Sequence, residues 1–261
     1  MKRIYIPSSV RTISATSYSY SPFYGWDSSA IIYCGAASKP SDWGSYWNYF
    51  NASYTLATIW NVVGYPQQNE EWEYVEKTDG TIRIAKYLGS SSIITIPSIL
   101  SSKSVSEIYA SCFENKTAIT SVTIPNSVTN IGGAAFYNCS GLTSINIPDG
   151  VTSIEDSTFY NCTALTSIDI LNGVTSIGEN AFENCTSMRK IYIPISVTTI
   201  SASIKTLSPF YGWDSSAVIY CGASSEPSGW GTYWRCYTSS GSTASLLKTV
   251  WDVAGFPQQN E

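Results

Sequence analysis

The chain has 261 residues, of which 43% are hydrophobic and 13% charged, a composition typical of a folded protein with a sizeable core. Its formal net charge of −5 argues against nucleic acid as a partner, because phosphate binding needs a basic surface. It contains no histidine, which excludes Ser-His and Cys-His catalysis, and no apolar stretch long enough to span a membrane.

The first residues do not have the pattern of a signal peptide, because the basic start is followed by Ser and Thr instead of an apolar segment. They match Met188 to Pro194, so the sequence begins within a structural repeat, and we expect any export signal to lie upstream. Ile4, Tyr5 and Ile6 then form a strand without the preceding repeats on which Ile191 to Ile193 rest. An uncovered strand edge can pair with another chain, so these three residues are a candidate self-association edge.

A long segment recurs along the chain and divides it. Ser21 to Ala30 recurs as Ser208 to Ala217, and Pro66 to Glu70 recurs as Pro257 to Glu261. We therefore predict that residues 1–70 are the closing portion of one repeat unit and that residues 71–261 are a complete second unit. Within the complete unit we expect an opening hairpin cap at 71–97, repeats at 98–207 and an aromatic-rich closing cap at 208–261.

The repeats have a period of 23 residues, seen in several apolar columns. One column consists of Phe113, Phe136, Phe159 and Phe182. Alternating segments such as Ser144 to Ile147 end at a proline, as a strand can. The pattern predicts a β-rich leucine-rich-repeat solenoid, coiled to the right, with segments 94–96, 122–124, 145–147, 168–170 and 191–193 in one parallel sheet.

The repeat motif resembles that of the BspA-like leucine-rich-repeat proteins of cell surfaces. The resemblance rests on Ile147-Pro148, Ala135-Phe136, Asn138-Cys139 and Leu142, and on the closing segment Ile219 to Ala223. Leu171 in place of the proline and Lys116 in place of the column cysteine are departures in single repeats. The resemblance implies an exported, extracellular protein that binds host proteins or other cells.

The strand pattern also predicts a binding face. Alternation turns Leu142, Ile145 and Ile147 inward, and therefore turns the residues between them outward. The candidate ligand-binding residues are Ser121, Thr123, Ser144, Asn146, Ser167, Asp169, Lys190 and Tyr192. We expect a non-enzymatic adhesion or protein-binding module whose partner is a host or bacterial surface protein, or a glycan. The alternative is a structural spacer or self-assembling filament subunit.

The asparagine column and the cysteine column of the repeats can each be interpreted in two ways. Asn115, Asn138, Asn161 and Asn184 lie in glycosylation sequons, but we expect the column to satisfy backbone groups at the turns. Cys139, Cys162 and Cys185 stack closely enough for a disulfide between neighbours, but three members cannot all pair, so we expect buried free thiols.

The tryptophan clusters near residues 26–60 and 213–251 could stack on sugars, but we expect them to fill the closing caps. We predict no catalytic residues, because the acidic residues of the repeats do not recur as a pair across a cleft. We also predict no metal site and no cofactor, since one thiol per repeat does not form a ligand set.

Overall fold

The computed structural model describes residues 3–10, 12–26, 30–49, 56–238 and 245–253. The protein is β-rich, and the helices in these residues are two single 3-10 turns, Tyr18–Tyr20 and Lys205–Leu207. The chain divides into two compact units: Met1–Asn69 with Glu73–Arg83, and Glu70–Trp72 with Ile84–Glu261.

The first compact unit is built on a parallel sheet in the order β1-β2-β3. Its core contains Ile6, Phe23, Ile32, Trp43 and Trp47. The strand β4 pairs antiparallel with β5. Its strands are β1 (Arg3–Ile6), β2 (Ile31–Cys34), β3 (Ala57–Ile59), β4 (Val62–Gln68) and β5 (Trp72–Lys77).

A tight turn with the sequence Asp79-Gly80 follows β5. Gly80 has a φ of 81°, a conformation that glycine adopts without steric cost. The Lys77 amide donates to the Thr81 carbonyl at 2.8 Å, and the Asp79 carboxylate accepts from the Thr81 amide at 2.9 Å. These bonds close the turn that leads into β6 (Ile82–Tyr87).

The second compact unit consists of stacked repeats that pair through two columns of short parallel strands. The first column contains β7 (Ile93–Thr95), β10 (Ser121–Thr123) and β12 (Ser144–Ile145), then β15 (Lys190–Ile193), β17 (Val218–Cys221) and β20 (Lys248–Val250). The second contains β9 (Lys103–Ile108), β11 (Asn130–Ile131), β13 (Ser153–Ile154), β14 (Ser176–Ile177) and β16 (Thr199–Ile200). Two antiparallel pairs are added, β8 (Ile99–Leu100) with β9, and β18 (Cys236–Thr238) with β19 (Ser245–Leu246).

The register of the strands follows the 23-residue period. Val122 pairs with Ile145 in the first column, and Ile154 pairs with Ile177 and Ile177 with Ile200 in the second. Leu142, Ile145 and Ile147 are buried, which confirms the predicted inward side of the repeat. Repeats in register place each apolar column in line along the stack.

The prediction of one parallel sheet through five segments is wrong. The described residues instead form two three-stranded sheets in this column, β12-β10-β7 and β15-β17-β20. The segment 168–170 is not a strand, and only an isolated bridge joins Asp169 to Tyr192. The strand β12 ends at Ile145, because the next residue, Asn146, bonds to the neighbouring strand segment through its side chain. The side-chain oxygen of Asn146 accepts from Ile124 N and its side-chain nitrogen donates to Ile124 O, both at 2.9 Å.

Successive repeats are also joined by a backbone ladder around the phenylalanine column. Phe113, Phe136 and Phe159 each donate their amide to a carbonyl of the next repeat, at 2.8, 2.9 and 2.8 Å. Their rings stack with centroids 4.9 and 5.5 Å apart and with planes within 8° of parallel. This column is the centre of the core.

Candidate functional site

Six of the eight predicted binding residues lie together on the first strand column. Together with Val122, Ile145 and Ile168 they line an open depression of about 350 Å³. The six are Ser121, Thr123, Ser144, Asn146, Ser167 and Asp169. The depression spans three adjacent repeats, and the three buried aliphatic residues lie between the polar ones along each segment.

Four of the six polar residues that line the depression carry hydroxyl groups. Thr123, Ser144, Ser167 and Asp169 are exposed, and Ser121 is half-buried. Asp169 is the one charged residue among those that line the depression, so this part of the described surface is weakly acidic. Hydroxyls both donate and accept hydrogen bonds, and a carboxylate accepts them, so the set can bind polar groups of either kind.

The side-chain amide of Asn146 is less available to a ligand than the exposure of the residue suggests. Its side-chain oxygen and nitrogen are both bonded to the backbone of Ile124. The strand pattern predicts its outward position but not this use of the amide, which is specific to a polar residue placed beside a strand end. Asn146 therefore shapes the wall of the depression.

Lys190 and Tyr192 lie on β15, beyond the residues that line the depression. Lys190 is exposed. Tyr192 is half-buried, and its hydroxyl donates to the Val253 carbonyl at 3.1 Å. The bridge between Asp169 and Tyr192 places the two residues side by side, so the face continues from the depression onto β15.

The predicted self-association residues form β1, at the end of the β1-β2-β3 sheet. Ile6 is buried and Ile4 packs against the core of the first compact unit, so their apolar side chains are largely covered. The Tyr5 hydroxyl donates to the Val62 carbonyl at 3.3 Å. The structure places these residues at a sheet edge but not on an exposed apolar end.

All seven cysteines are buried free thiols, which confirms the prediction for the cysteine column. The thiols of Cys139, Cys162 and Cys185 donate to the carbonyls of Phe113, Phe136 and Phe159, at 3.1 to 3.2 Å. Burial raises the pKa of Cys139 to about 12 and also raises the pKa of the other two. Each thiol therefore joins its own repeat to the preceding one.

The asparagine column has a different role from the predicted one. Asn115, Asn138, Asn161 and Asn184 have φ values of 56° to 62°, in the left-handed region that Asn tolerates better than other residues. The side chains of Asn115, Asn138 and Asn161 bond to one another along the column. Asn138 donates to Asn115 at 2.8 Å, and Asn161 donates to Asn138 at 2.6 Å.

Several tryptophans of the two predicted caps are buried. Trp43 and Trp47 are buried with ring centroids 4.6 Å apart, and Trp230 and Trp234 are buried with centroids 4.5 Å apart. The Trp230 ring nitrogen donates to the Val197 carbonyl at 3.1 Å. Buried rings such as these four do not form a sugar-stacking platform.

Two further properties concern the described residues alone. These residues contain no group of three His, Cys, Asp or Glu side chains arranged to hold a metal ion. None of the helices in them has the length and apolar character to cross a bilayer.

Stacked repeats with buried apolar columns define a leucine-rich-repeat protein. Residues 86–206 match the BspA type leucine rich repeat region in six copies. This part of the chain is therefore a region of BspA-type leucine-rich repeats. No curated protein is similar enough in sequence to count as a match.

Three bacterial crystal structures are similar to the chain. A T. pallidum leucine-rich-repeat protein is 26% identical with a TM-score of 0.51, over 59% of this chain and 70% of that one. A Bacteroides ovatus leucine-rich-repeat protein is 28% identical with a TM-score of 0.50, over 59% and 46%. A leucine-rich cell-surface protein of Faecalibacterium prausnitzii is 26% identical with a TM-score of 0.53, over 74% and 56%. The matches span about half the length of the latter two proteins.

Proposed function

We propose that the chain is a non-enzymatic, surface-exposed adhesion or protein-binding module that uses the outward face of its first strand column. The observation that carries the proposal is the depression lined by Ser121, Thr123, Ser144, Asn146, Ser167 and Asp169. Three successive repeats supply equivalent polar positions to it. A partner that lies across the repeats can therefore form a series of similar hydrogen bonds.

The wider architecture that we propose is a right-handed solenoid. The parallel pairing at 23-residue intervals supports it, because Val122 pairs with Ile145 in the first strand column and Ile154 pairs with Ile177 in the second. In this arrangement residues 71–261 form one complete unit, with the hairpin at 71–97 and the segment 208–261 as its caps. Tandem units would increase avidity without a new contact.

The composition of the face supports binding over catalysis. Of the residues that line the depression, Asp169 alone carries a carboxylate, whereas a glycosidase uses a pair. The similarity to leucine-rich-repeat proteins also supports a binding function over catalysis. One of the similar proteins is a cell-surface protein. We propose that this protein too is extracellular, with a host or bacterial surface protein, or a glycan, as its partner.

A steric substitution at the centre of the face tests the proposal. Ser144→Trp would fill the depression, while Asn172→Trp places the same side chain at an exposed turn outside it. We expect the full chain to bind at least one member of a panel of immobilised matrix proteins, bacterial cells and surface glycans. Ser144→Trp should weaken that binding at least about tenfold, and Asn172→Trp should leave it unchanged.

Binding that is equal in both variants would place the contact elsewhere, and no binding across the panel would remove the adhesion proposal. Circular dichroism of each variant checks that the fold is intact. Interferometry with the panel member on the sensor measures the dissociation constants.

A self-assembling filament subunit is the second candidate, favoured by the position of β1 at the end of its sheet. Sedimentation of the full chain over a range of concentrations, followed by electron microscopy, should then reveal growing assemblies. A single monomeric species at all concentrations contradicts this alternative.

A further inference from the structure

Two tyrosines stack on the outside of the repeats. Tyr137 and Tyr160 occupy the same position in adjacent repeats, with ring centroids 4.6 Å apart and planes 3° from parallel. The backbone ladder holds them in line, since Asn115 N donates to Tyr137 O at 2.8 Å and Asn138 N donates to Tyr160 O at 2.7 Å. Both residues are half-buried, so part of each side chain reaches solvent.

The next repeat places a carboxylate in this column. Glu183 is 8% exposed, and its carboxylate lies close enough to the Tyr160 hydroxyl for the two groups to interact. Burial raises the pKa of Glu183, and the bond from Tyr160 opposes this increase. The side chain of Asn184 also bonds to Tyr160. The stacked pair therefore has a proton acceptor in contact with one of its two hydroxyls.

We propose that Tyr137 and Tyr160 form an oxidative cross-linking site, at which a peroxidase with hydrogen peroxide joins the two rings as dityrosine. Each phenol loses one electron and one proton, and Glu183 accepts the proton of Tyr160. The two phenoxyl radicals couple through one ortho carbon of each ring. The hydrogens on those carbons move to the phenol oxygens as the rings regain aromaticity. The two electrons and the two phenol protons, including the one that passes through Glu183, reduce one hydrogen peroxide to two molecules of water.

The arrangement favours this pair in two ways. Coupling needs two radicals within contact distance, and the stack keeps the rings together before oxidation. Loss of an electron makes a phenol strongly acidic, so a bonded carboxylate assists the step by taking the proton. The product would be a covalent bond between adjacent repeats, outside the residues that line the depression.

The test treats the full chain with peroxidase and hydrogen peroxide and then digests it for mass spectrometry. We expect a linked pair of peptides containing Tyr137 and Tyr160, lighter by two hydrogen atoms than the separate peptides. Tyr137→Phe keeps an aromatic ring in the stack but removes the hydroxyl, and it should abolish this product. Glu183→Gln should slow its formation at least about tenfold, because an amide does not accept the proton.

The chain contains a comparison pair for the same experiment. Tyr46 and Tyr49 lie with ring centroids 5.2 Å apart, but their planes are inclined at 65°. We expect the Tyr137–Tyr160 product to accumulate before any product of Tyr46 and Tyr49. Equal rates for the two pairs, an unchanged product in Tyr137→Phe, or an unchanged rate in Glu183→Gln would each overturn the proposal.

Discussion

Single phenylalanines form the centre of each repeat. Phe113, Phe136, Phe159 and Phe182 are each 0% exposed, and each ring lies almost parallel to the next. Parallel rings at 4.9 to 5.5 Å are offset from one another, an arrangement that avoids repulsion between their faces. A ring in the middle of the column therefore supports both of its neighbours.

Removal of one such ring should be strongly destabilising. Phe159→Ala opens a cavity between Phe136 and Phe182, and we expect it to lower the free energy of unfolding by about 3 to 5 kcal/mol. Ser144→Ala alters an exposed strand residue and should stay within about 0.5 kcal/mol. Thermal melts of the two variants provide the measurement. Equal melting temperatures would contradict the inward and outward assignments.

The cysteine column should be chemically inert in the folded protein. Burial raises the pKa of Cys139 to about 12, so near pH 8 the group is a thiol and very little reactive thiolate is present. A maleimide or iodoacetamide reagent should leave Cys139, Cys162 and Cys185 unmodified in the native state. Denaturation without reductant should make all three reactive. A disulfide between any two of them, found by mass spectrometry, would contradict the free-thiol packing.

The apolar columns could be predicted from the sequence because their period is carried by identical or similar residues at every repeat. The residues that shorten or replace strands could not be predicted in this way. Asn146 fits the outward pattern, yet its side-chain amide bonds to the backbone of Ile124, and the strand of that repeat ends before it. Alternation predicts the side of a residue and not its partner. The outward position of these residues was therefore predictable, while the depression and its walls depend on individual side chains.

The turns of the repeats contain a second set of left-handed residues, which the apolar period does not predict. Ser111, Ala134, Ser157 and Asn180 all have φ values between 55° and 57°. Together with the asparagine column, they place one left-handed residue two positions before each phenylalanine and another two positions after it. Alanine is the least suited of these residues, because its Cβ approaches the following carbonyl oxygen and it has no polar group to compensate.

Ala134 is consequently a site for stabilisation. Ala134→Gly removes the steric strain at a φ of 55°, and we expect it to raise the free energy of unfolding by about 0.5 to 1 kcal/mol after the added chain entropy. The neighbouring Ala135 is buried and has no positive φ, so Ala135→Gly should be destabilising. Chemical denaturation of both variants measures the two changes. A loss of stability in Ala134→Gly would show that the turn carries no strain.

At the scale of the whole molecule, the recurring sequence folds twice into the same local structure. The Ser21 hydroxyl donates to the Trp47 carbonyl at 3.1 Å, and the Ser208 hydroxyl donates to the Trp234 carbonyl at 3.0 Å. Phe23 lies 5.0 Å from Trp26, and Phe210 lies 5.1 Å from Trp213, edge to face in each case. Each compact unit therefore contains its own aromatic cluster of this kind.

The last prediction uses these equivalent residues to test whether the two cores unfold independently. Phe23 and Phe210 are both buried, at 3% and 0% exposure, and they lie in different compact units. Truncation of either one to alanine should cost about 3 to 5 kcal/mol in its own core. We therefore expect differential scanning calorimetry to resolve two transitions, with Phe23→Ala lowering one and Phe210→Ala lowering the other. If both variants shift a single common transition, the two cores unfold as one cooperative unit, and the proposed division of the chain near residue 70 would not apply to its folding.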